Sequence, residues 1–157
     1  DEDQAKITLS GLPDRPGAAA RIFKELAGAG INIDMIVQNA SARGLADLSF
    51  TVPEDDLERT RRLMKSMIKP GGPSLAVDTD IAKVSVVGVG MRGHSGVAFR
   101  TFKTLAERGI NIQMISTSEI KISVIVKKAL ANKAMIALHK AFKLDKSAGR
   151  AGGRRAG

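Results

Sequence analysis

The chain repeats itself, and the repeat limits what it can fold into more than any other feature. Leu26-Ala27-Gly28-Ala29-Gly30-Ile31-Asn32-Ile33-Asp34-Met35-Ile36 returns 79 residues on as Leu105-Ala106-Glu107-Arg108-Gly109-Ile110-Asn111-Ile112-Gln113-Met114-Ile115. Upstream, Ile7-Thr8-Leu9-Ser10-Gly11-Leu12 returns 77 residues on as Val84-Ser85-Val86-Val87-Gly88-Val89. Solenoid units repeat every 20 to 50 residues or so, well below this spacing. The pattern therefore predicts two copies of one small domain, and paired small domains typically bind a ligand or assemble.

Each copy reads as strand, helix, strand, strand, helix. Ile7 to Leu12 alternates apolar and small polar residues, as a half-buried strand does. Pro16 suits a first helical turn, and Ala18 to Ala29 is rich in helix formers, with Ala19, Ile22, Phe23, Leu26 and Ala27 making one apolar stripe. Gly30 stops that helix. Ile31, Ile33, Met35 and Val37 follow at period two, so Ile31 to Val37 is predicted as a strand, and Leu45 to Val52 as the next. Pro53-Glu54-Asp55-Asp56 opens a second helix with carboxylates at its positive end. Leu57, Leu63, Met64 and Met67 supply its buried side, and Ser74 to Val77 is a short fourth strand. The second copy is predicted as strand Val84–Val89, helix Val97–Glu107, strands Ile110–Ser116 and Ile120–Val126, and a helix over Ala131–Phe142 with Met135, Leu138 and Phe142 on one face. Its closing strand is missing. The expected fold class is α+β: two ferredoxin-like βαββαβ modules, antiparallel sheets with helices on one face, over residues 6–78 and 79–144. Residues 145–157 form a basic tail whose Gly/Ala/Arg composition, from Ser147 on, predicts disorder. Sheets with edges and one face to cover predict an oligomer.

Composition narrows the partners. The 157 residues are 43% hydrophobic and 26% charged, as in an ordinary globular chain. No apolar run approaches the ~18 residues of a membrane span, no secretory signal precedes the first strand, and cysteine is absent, so the expected compartment is the cytoplasm. Of the net charge of +9, the stretch from Lys140 to Gly157 holds +5: Lys140, Lys143, Lys146, Arg150, Arg154 and Arg155 against Asp145. Nucleic-acid binding also calls for stacking platforms; the chain has no Trp or Tyr, and Phe23, Phe50, Phe99, Phe102 and Phe142 fall mostly at core-like positions. Neither nucleic acid nor membrane is expected as a partner.

Catalytic and cofactor motifs are weak. Gly88-Val89-Gly90-Met91-Arg92-Gly93 spells G-x-G-x-x-G between a strand and a helix, but the following strand reads Ile110-Asn111-Ile112-Gln113 and lacks the carboxylate that holds a ribose. A tight strand-to-helix turn accounts for these glycines. His94 and His139 are isolated from any paired-ligand spacing; His94 is a candidate pocket residue and His139 a surface one. Asp34 and Glu119 could serve as bases, but the sequence shows no catalytic motif around either. No cofactor or metal is expected.

What remains is the loop before each first helix. Backbone N–H groups at a helix N-terminus bind carboxylates, and a nearby side-chain carboxylate such as Asp14 or Asp34 meets an ammonium group. A ligand with both groups is a free amino acid. The alternative is that Asp14 only caps a turn.

Three stretches add a resemblance: Gly-Leu-Pro-Asp-Arg-Pro-Gly (Gly11 to Gly17), Asn-Ile-Asp-Met-Ile-Val-Gln-Asn-Ala-Ser (Asn32 to Ser41) and Ile-Ser-Thr-Ser-Glu-Ile-Lys-Ile-Ser-Val (Ile115 to Val124). With Lys83 to Met91 and His94-Ser95-Gly96-Val97, they resemble the regulatory region of aspartate kinase, from about Lys6 to Leu144. The resemblance implies tandem ACT domains that bind threonine, lysine or both, for feedback inhibition of aspartate-family amino acid biosynthesis. Members carry the region fused to a kinase domain or as a separate beta subunit; kinase motifs are not in this sequence, so a regulatory part and not the enzyme itself is expected. Carried over by position, effector contacts fall on Asp14, Arg15, Pro16, Gly17 and Ala18, on Asn32, Ile33 and Asp34, and on Gln38. In the second module they fall on Met91, His94, Gly96, Val97, Asn111, Ile112, Ser116, Thr117, Ser118 and Glu119. The implied partners are a second copy of the chain, pockets forming where the first module of one faces the second of another, and a catalytic kinase chain or domain. Ser95 stands where the family often has proline, and the Gly/Arg tail replaces a usual apolar stretch. The alternative function is a stand-alone ACT pair regulating another enzyme or a transcription factor.

Overall fold

The computed structural model describes residues 1–40, 43–88 and 94–152. It divides into two compact units, Asp1–Ile81 and Ala82–Gly157, three residues beyond the boundary expected from the repeat. In the first unit, β1 (Gln4–Pro13) leads to α1 (Ala18–Gly28), β2 (Ile36–Ala40), β3 (Leu45–Pro53), a 3-10 turn over Glu54–Asp56, α2 (Leu57–Met67) and β4 (Ser74–Asp78). The sheet order is β2-β3-β1-β4, with antiparallel neighbours. In the second, β5 (Ile81–Val87) leads to α3 (His94–Glu107), β6 (Met114–Thr117), β7 (Lys121–Lys127), a 3-10 turn over Lys128–Leu130 and α4 (Ala131–Gly152), and the sheet order is β5-β7-β6. This is the split βαβ arrangement in both copies, with no closing strand after α4 among the described residues.

Alternation sets which side of each strand faces the helices. In β1, Ala5, Ile7 and Leu9 are buried, as are Ala46, Leu48, Phe50 and Val52 in β3. Ile22 and Leu26 of α1 and Leu57 and Met64 of α2 close the same core, with Phe23 meeting Phe50 edge to face at 5.8 Å. Burying one such aliphatic side chain stabilises by about 1.5–3 kcal/mol. Ala82, Val84, Leu105, Ile110, Ile122, Val124, Val126 and Leu138 make the matching core of the second unit. Across each sheet's other face runs the same hydroxyl pair: Thr8 with Ser49 at 3.0 Å, Ser85 with Ser123 at 2.8 Å.

The structure departs from the sequence expectations in places that have physical causes. Ile31 to Met35 is not ladder strand; β2 begins at Ile36. The alternation still holds, since Ile31 and Met35 are buried, but Pro53 has no N–H and precedes a 3-10 turn, so β3, still paired with β1 to Pro53, offers its β2 side no ladder beyond Thr51. The last bonds are Asp34 N–H to Thr51 O (3.1 Å), Thr51 N–H to Met35 O (3.0 Å) and Met35 N–H to Thr51 Oγ1 (3.0 Å). β6 likewise starts at Met114 rather than Ile110, preceded by Gln113 N–H to Ile125 O at 2.8 Å. Helix α4 runs to Gly152, past Ser147, the expected start of the disordered stretch. An established helix extends cheaply through helix formers with no proline in the way; residues 153–157 lie outside the described part. Helical spacing puts Met135 with Leu138 on the buried face, yet Ala131, Ala134 and Ala137 are buried there and Met135 is exposed, because small residues let α4 sit close to the sheet. Phe99 is exposed too, the exception among phenylalanines that fall mostly at core-like positions.

Candidate functional site

The β1-to-α1 loop turns at one end of the first sheet. Asp14 N–H donates to Gly44 O at 2.9 Å, tying the loop to the β2–β3 hairpin, and Arg15 N–H donates to Pro13 O at 3.0 Å. Gly17 is the N-cap of α1 with φ 88°, a conformation that side-chain-bearing residues adopt only under strain. No side chain caps this helix, and its first turn carries no acidic residue. Ala18 N–H is held by Arg15 O at 3.3 Å and Arg21 N–H by Gly17 O at 3.1 Å. The positive end of α1 is thus open to an anion, with Asp14, Arg15, Pro16 and Gly17 exposed and Ala18 half-buried. The second helix of the unit is built differently: Glu54, Asp55, Asp56 and Glu58 crowd its start.

Asn32, Ile33 and Asp34 follow the far end of α1. Asp34 is anchored at Thr51 and Asp14 at Gly44, seven residues apart along β3, which at a strand's rise is roughly 23 Å. One unit therefore does not bring Asp14 and Asp34 together. Gln38 lies between them on the edge strand β2, opposite Leu48, so it sits on the helix-bearing side of the sheet and is exposed.

The second unit repeats this layout. Gly88 N–H donates to Ile120 O at 2.9 Å, tying the end of β5 to the start of β7, and Ser118 N–H closes on Lys121 O at 2.7 Å. These bonds place Ser116, Thr117, Ser118 and Glu119, all exposed, at the end of the sheet where β5 hands over to α3. His94 opens α3, with Gly96 exposed and Val97 half-buried in its first turn. Asn111 and Ile112 follow the far end of α3. Met91 lies outside the described residues, as do Gly90 and Gly93 of the glycine-rich run. Among the described residues no group of three or more His, Asp or Glu side chains could hold a metal, and no helix is long and apolar enough to cross a membrane. His139 is exposed on α4, as expected. Sequence reasoning misses two anchors, the Gly44 carbonyl and Thr51; the Arg43-Gly44 turn signal points to the first, and nothing in the pattern marks the second.

The ACT domain family model matches residues 7–66 and 84–142, one match per unit. An aspartate kinase from Pseudomonas fluorescens is 49% identical over 144 residues, covering 91% of this chain and 35% of the relative. The solved regulatory subunit of aspartate kinase from Thermus thermophilus, in a ligand-free form, is 40% identical with a TM-score of 0.85, over 90% of this chain and 94% of that one. The chain is the ACT-domain regulatory region of an aspartate kinase. A structure of aspartokinase alpha and beta subunits is also similar, at 48% identity and TM-score 0.84, over 91% of this chain and 95% of that one.

The regulatory region spans about a third of the length of the curated aspartate kinases it matches. The kinase portion of those relatives lies outside the match. The two family matches, residues 7–66 and 84–142, each take in the βαββα part of one unit; β4 and the continuation of α4 to Gly152 fall outside them.

Proposed function

We propose that this aspartate kinase regulatory region binds a free amino acid, threonine, lysine or both, and passes the binding on to the kinase as feedback inhibition of aspartate-family biosynthesis in the cytoplasm. The observation that carries the reading is the uncapped, acid-free start of α1 behind Gly17, beside the Asp14 carboxylate. An α-carboxylate is accepted by the helix N-terminus, and an ammonium group by a carboxylate.

Geometry favours a pocket shared between chains. The Asp14 loop and the Asn32–Asp34 segment sit at opposite ends of one sheet, and antiparallel pairing of two such sheets along edge strands of the β2 and β6 type sets one end of each beside the other end of its partner. Ile36 on β2 and Ile115 on β6 are exposed along those edges. A homodimer with the first module of one chain against the second of the other completes the site, which draws on Asp14 to Ala18, Asn32 to Asp34 and Gln38 from one module and His94, Gly96, Val97, Asn111, Ile112 and Ser116 to Glu119 from the other. Ligand that contacts both chains tightens the dimer.

Calorimetric and thermal titration with threonine and with lysine tests this. Effector at about 100 times its dissociation constant adds roughly 2.7 kcal/mol of stability. A melting temperature that neither amino acid moves at millimolar concentration sinks the proposal. Asp14→Ala weakens binding where Asp14 meets the ammonium, and leaves it unchanged where Asp14 only shapes the turn. Sedimentation at tens of micromolar with saturating threonine reports a dimer; a monomer there removes the shared pocket.

A further inference from the structure

The two units serve as controls for each other, and the comparison isolates one surface. Their second helices align through buried positions: Leu57 with Ala131, Thr60 with Ala134, Met64 with Leu138. At the next positions outward, α2 carries Arg61 and Arg62, while α4 carries Met135 and Ile136, 54% and 69% exposed. On the first helices Ala20 aligns with Phe99, which is 66% exposed on α3, and α3 packs beside α4. The fold does not require apolar residues there, since the first copy does without them. Exposed apolar side chains of this size, at positions where the other copy has none, mark a surface that something covers.

The rim of that surface selects the occupant. Lys133, His139 and Lys140 flank Met135 and Ile136 along α4, and Lys103, 3.9 Å from Glu107, follows Phe99 by one turn on α3. A second copy docking through the same face brings like charges together, which is unfavourable. No acidic residue stands in the first turn of α4 to offset them. The occupant is therefore an apolar surface rimmed with carboxylates. About two thirds of each curated relative lies outside this chain's match, and that part contains the kinase.

We infer that the outer face of α3 and α4, centred on Met135 and Ile136, docks on an acid-rimmed apolar surface of the kinase portion. This rests on the assignment of the chain as a kinase regulatory region. It makes the second unit the one that touches the catalytic machinery, while the arginine-bearing α2 of the first unit stays in solvent.

The test uses the intact aspartate kinase, whose regulatory region has no cysteine of its own. Single variants Ile136→Cys and Arg62→Cys place a thiol at matching positions of the two helices, and maleimide labelling of each is followed by peptide mass spectrometry. The expected result is labelling at 136 at least tenfold slower than at 62, equalised in denaturant. Equal rates in the native enzyme overturn the inference. Carbodiimide coupling then identifies the occupant: bonds from Lys133 or Lys140 to carboxylates of the kinase portion support it, and bonds to a second regulatory region overturn it. Neither readout uses an effector, so a failure of the amino-acid reading is distinguishable from a failure of this one.

Discussion

The first and second units share a core and differ in almost everything around it. Leu26 and Leu105 occupy the same place in both and are fully buried, and the hydroxyl pairs Thr8–Ser49 and Ser85–Ser123 recur across the sheets. Outside the core, β1 has a strand on each side, while β5 has β7 on one side only among the described residues. Arg59 donates to Ala29 O at 3.0 Å and pairs with Asp56 at 2.7 Å, binding the start of α2 to the end of α1; Lys133 takes that position in α4. Packing fixes what a βαββα unit needs, and the rest of each surface is free to specialise. On the outer face of its second helix the first copy carries Arg61 and Arg62 where the other carries Met135 and Ile136.

The strongest way to break the comparison is in the cores. Leu26→Ala and Leu105→Ala each remove a fully buried side chain and should cost about 2–5 kcal/mol. Hydrogen exchange should place the loss in the substituted unit alone, because each leucine packs within its own cluster. Equal acceleration in both units by either variant means that the copies unfold together.

The repeat makes the equivalence of Leu26 and Leu105 legible in the amino-acid sequence alone. The alternation of Ile31, Ile33 and Met35 is legible too, but it does not show where the ladder stops: Pro53 ends it from the opposite strand, and a cross-strand effect is invisible in the local pattern. The core of α4 is hidden for a related reason. Large apolar residues draw attention, whereas Ala131, Ala134 and Ala137 are what let the helix approach the sheet, leaving Met135 outside. Of the candidate site, the open helix start follows from the Pro-Gly loop. The separation of Asp14 from Asp34 by the length of β3 depends on strand register, which hydrophobic patterning alone does not supply.

Gly17→Ala sharpens the comparison at the site itself. A Cβ there meets nothing within 4 Å, so the substitution adds no clash and its effect comes from the φ of 88°. A left-handed residue with a side chain costs roughly 1–2 kcal/mol. Denaturant titration should show that loss, and threonine affinity should fall as the helix start shifts. Unchanged affinity with reduced stability separates the turn from the ligand site.

The smallest expected effect concerns the charges at the second helices. Lys133 stands in the first turn of α4, where the helix dipole is positive, at the position Arg59 holds in α2, and Glu58 is an acidic residue in the first turn of α2. Reversing each charge tests whether the two helix starts obey the same electrostatics. Lys133→Glu should stabilise the chain by about 0.3–1 kcal/mol at low salt, and Glu58→Lys should destabilise it by a similar amount. The second figure carries an extra loss from the Glu58–Arg61 pair, held at 3.5 Å, which as an exposed pair contributes at the low end of that range. Both shifts should shrink toward zero near molar salt, where charges are screened within about 3 Å. If Lys133→Glu stabilises the isolated region yet weakens its hold on the kinase, the lysine is retained for the contact and not for the fold. An unfavourable charge kept at a helix start would then mark α4 as the docking helix, independently of its exposed Met135 and Ile136.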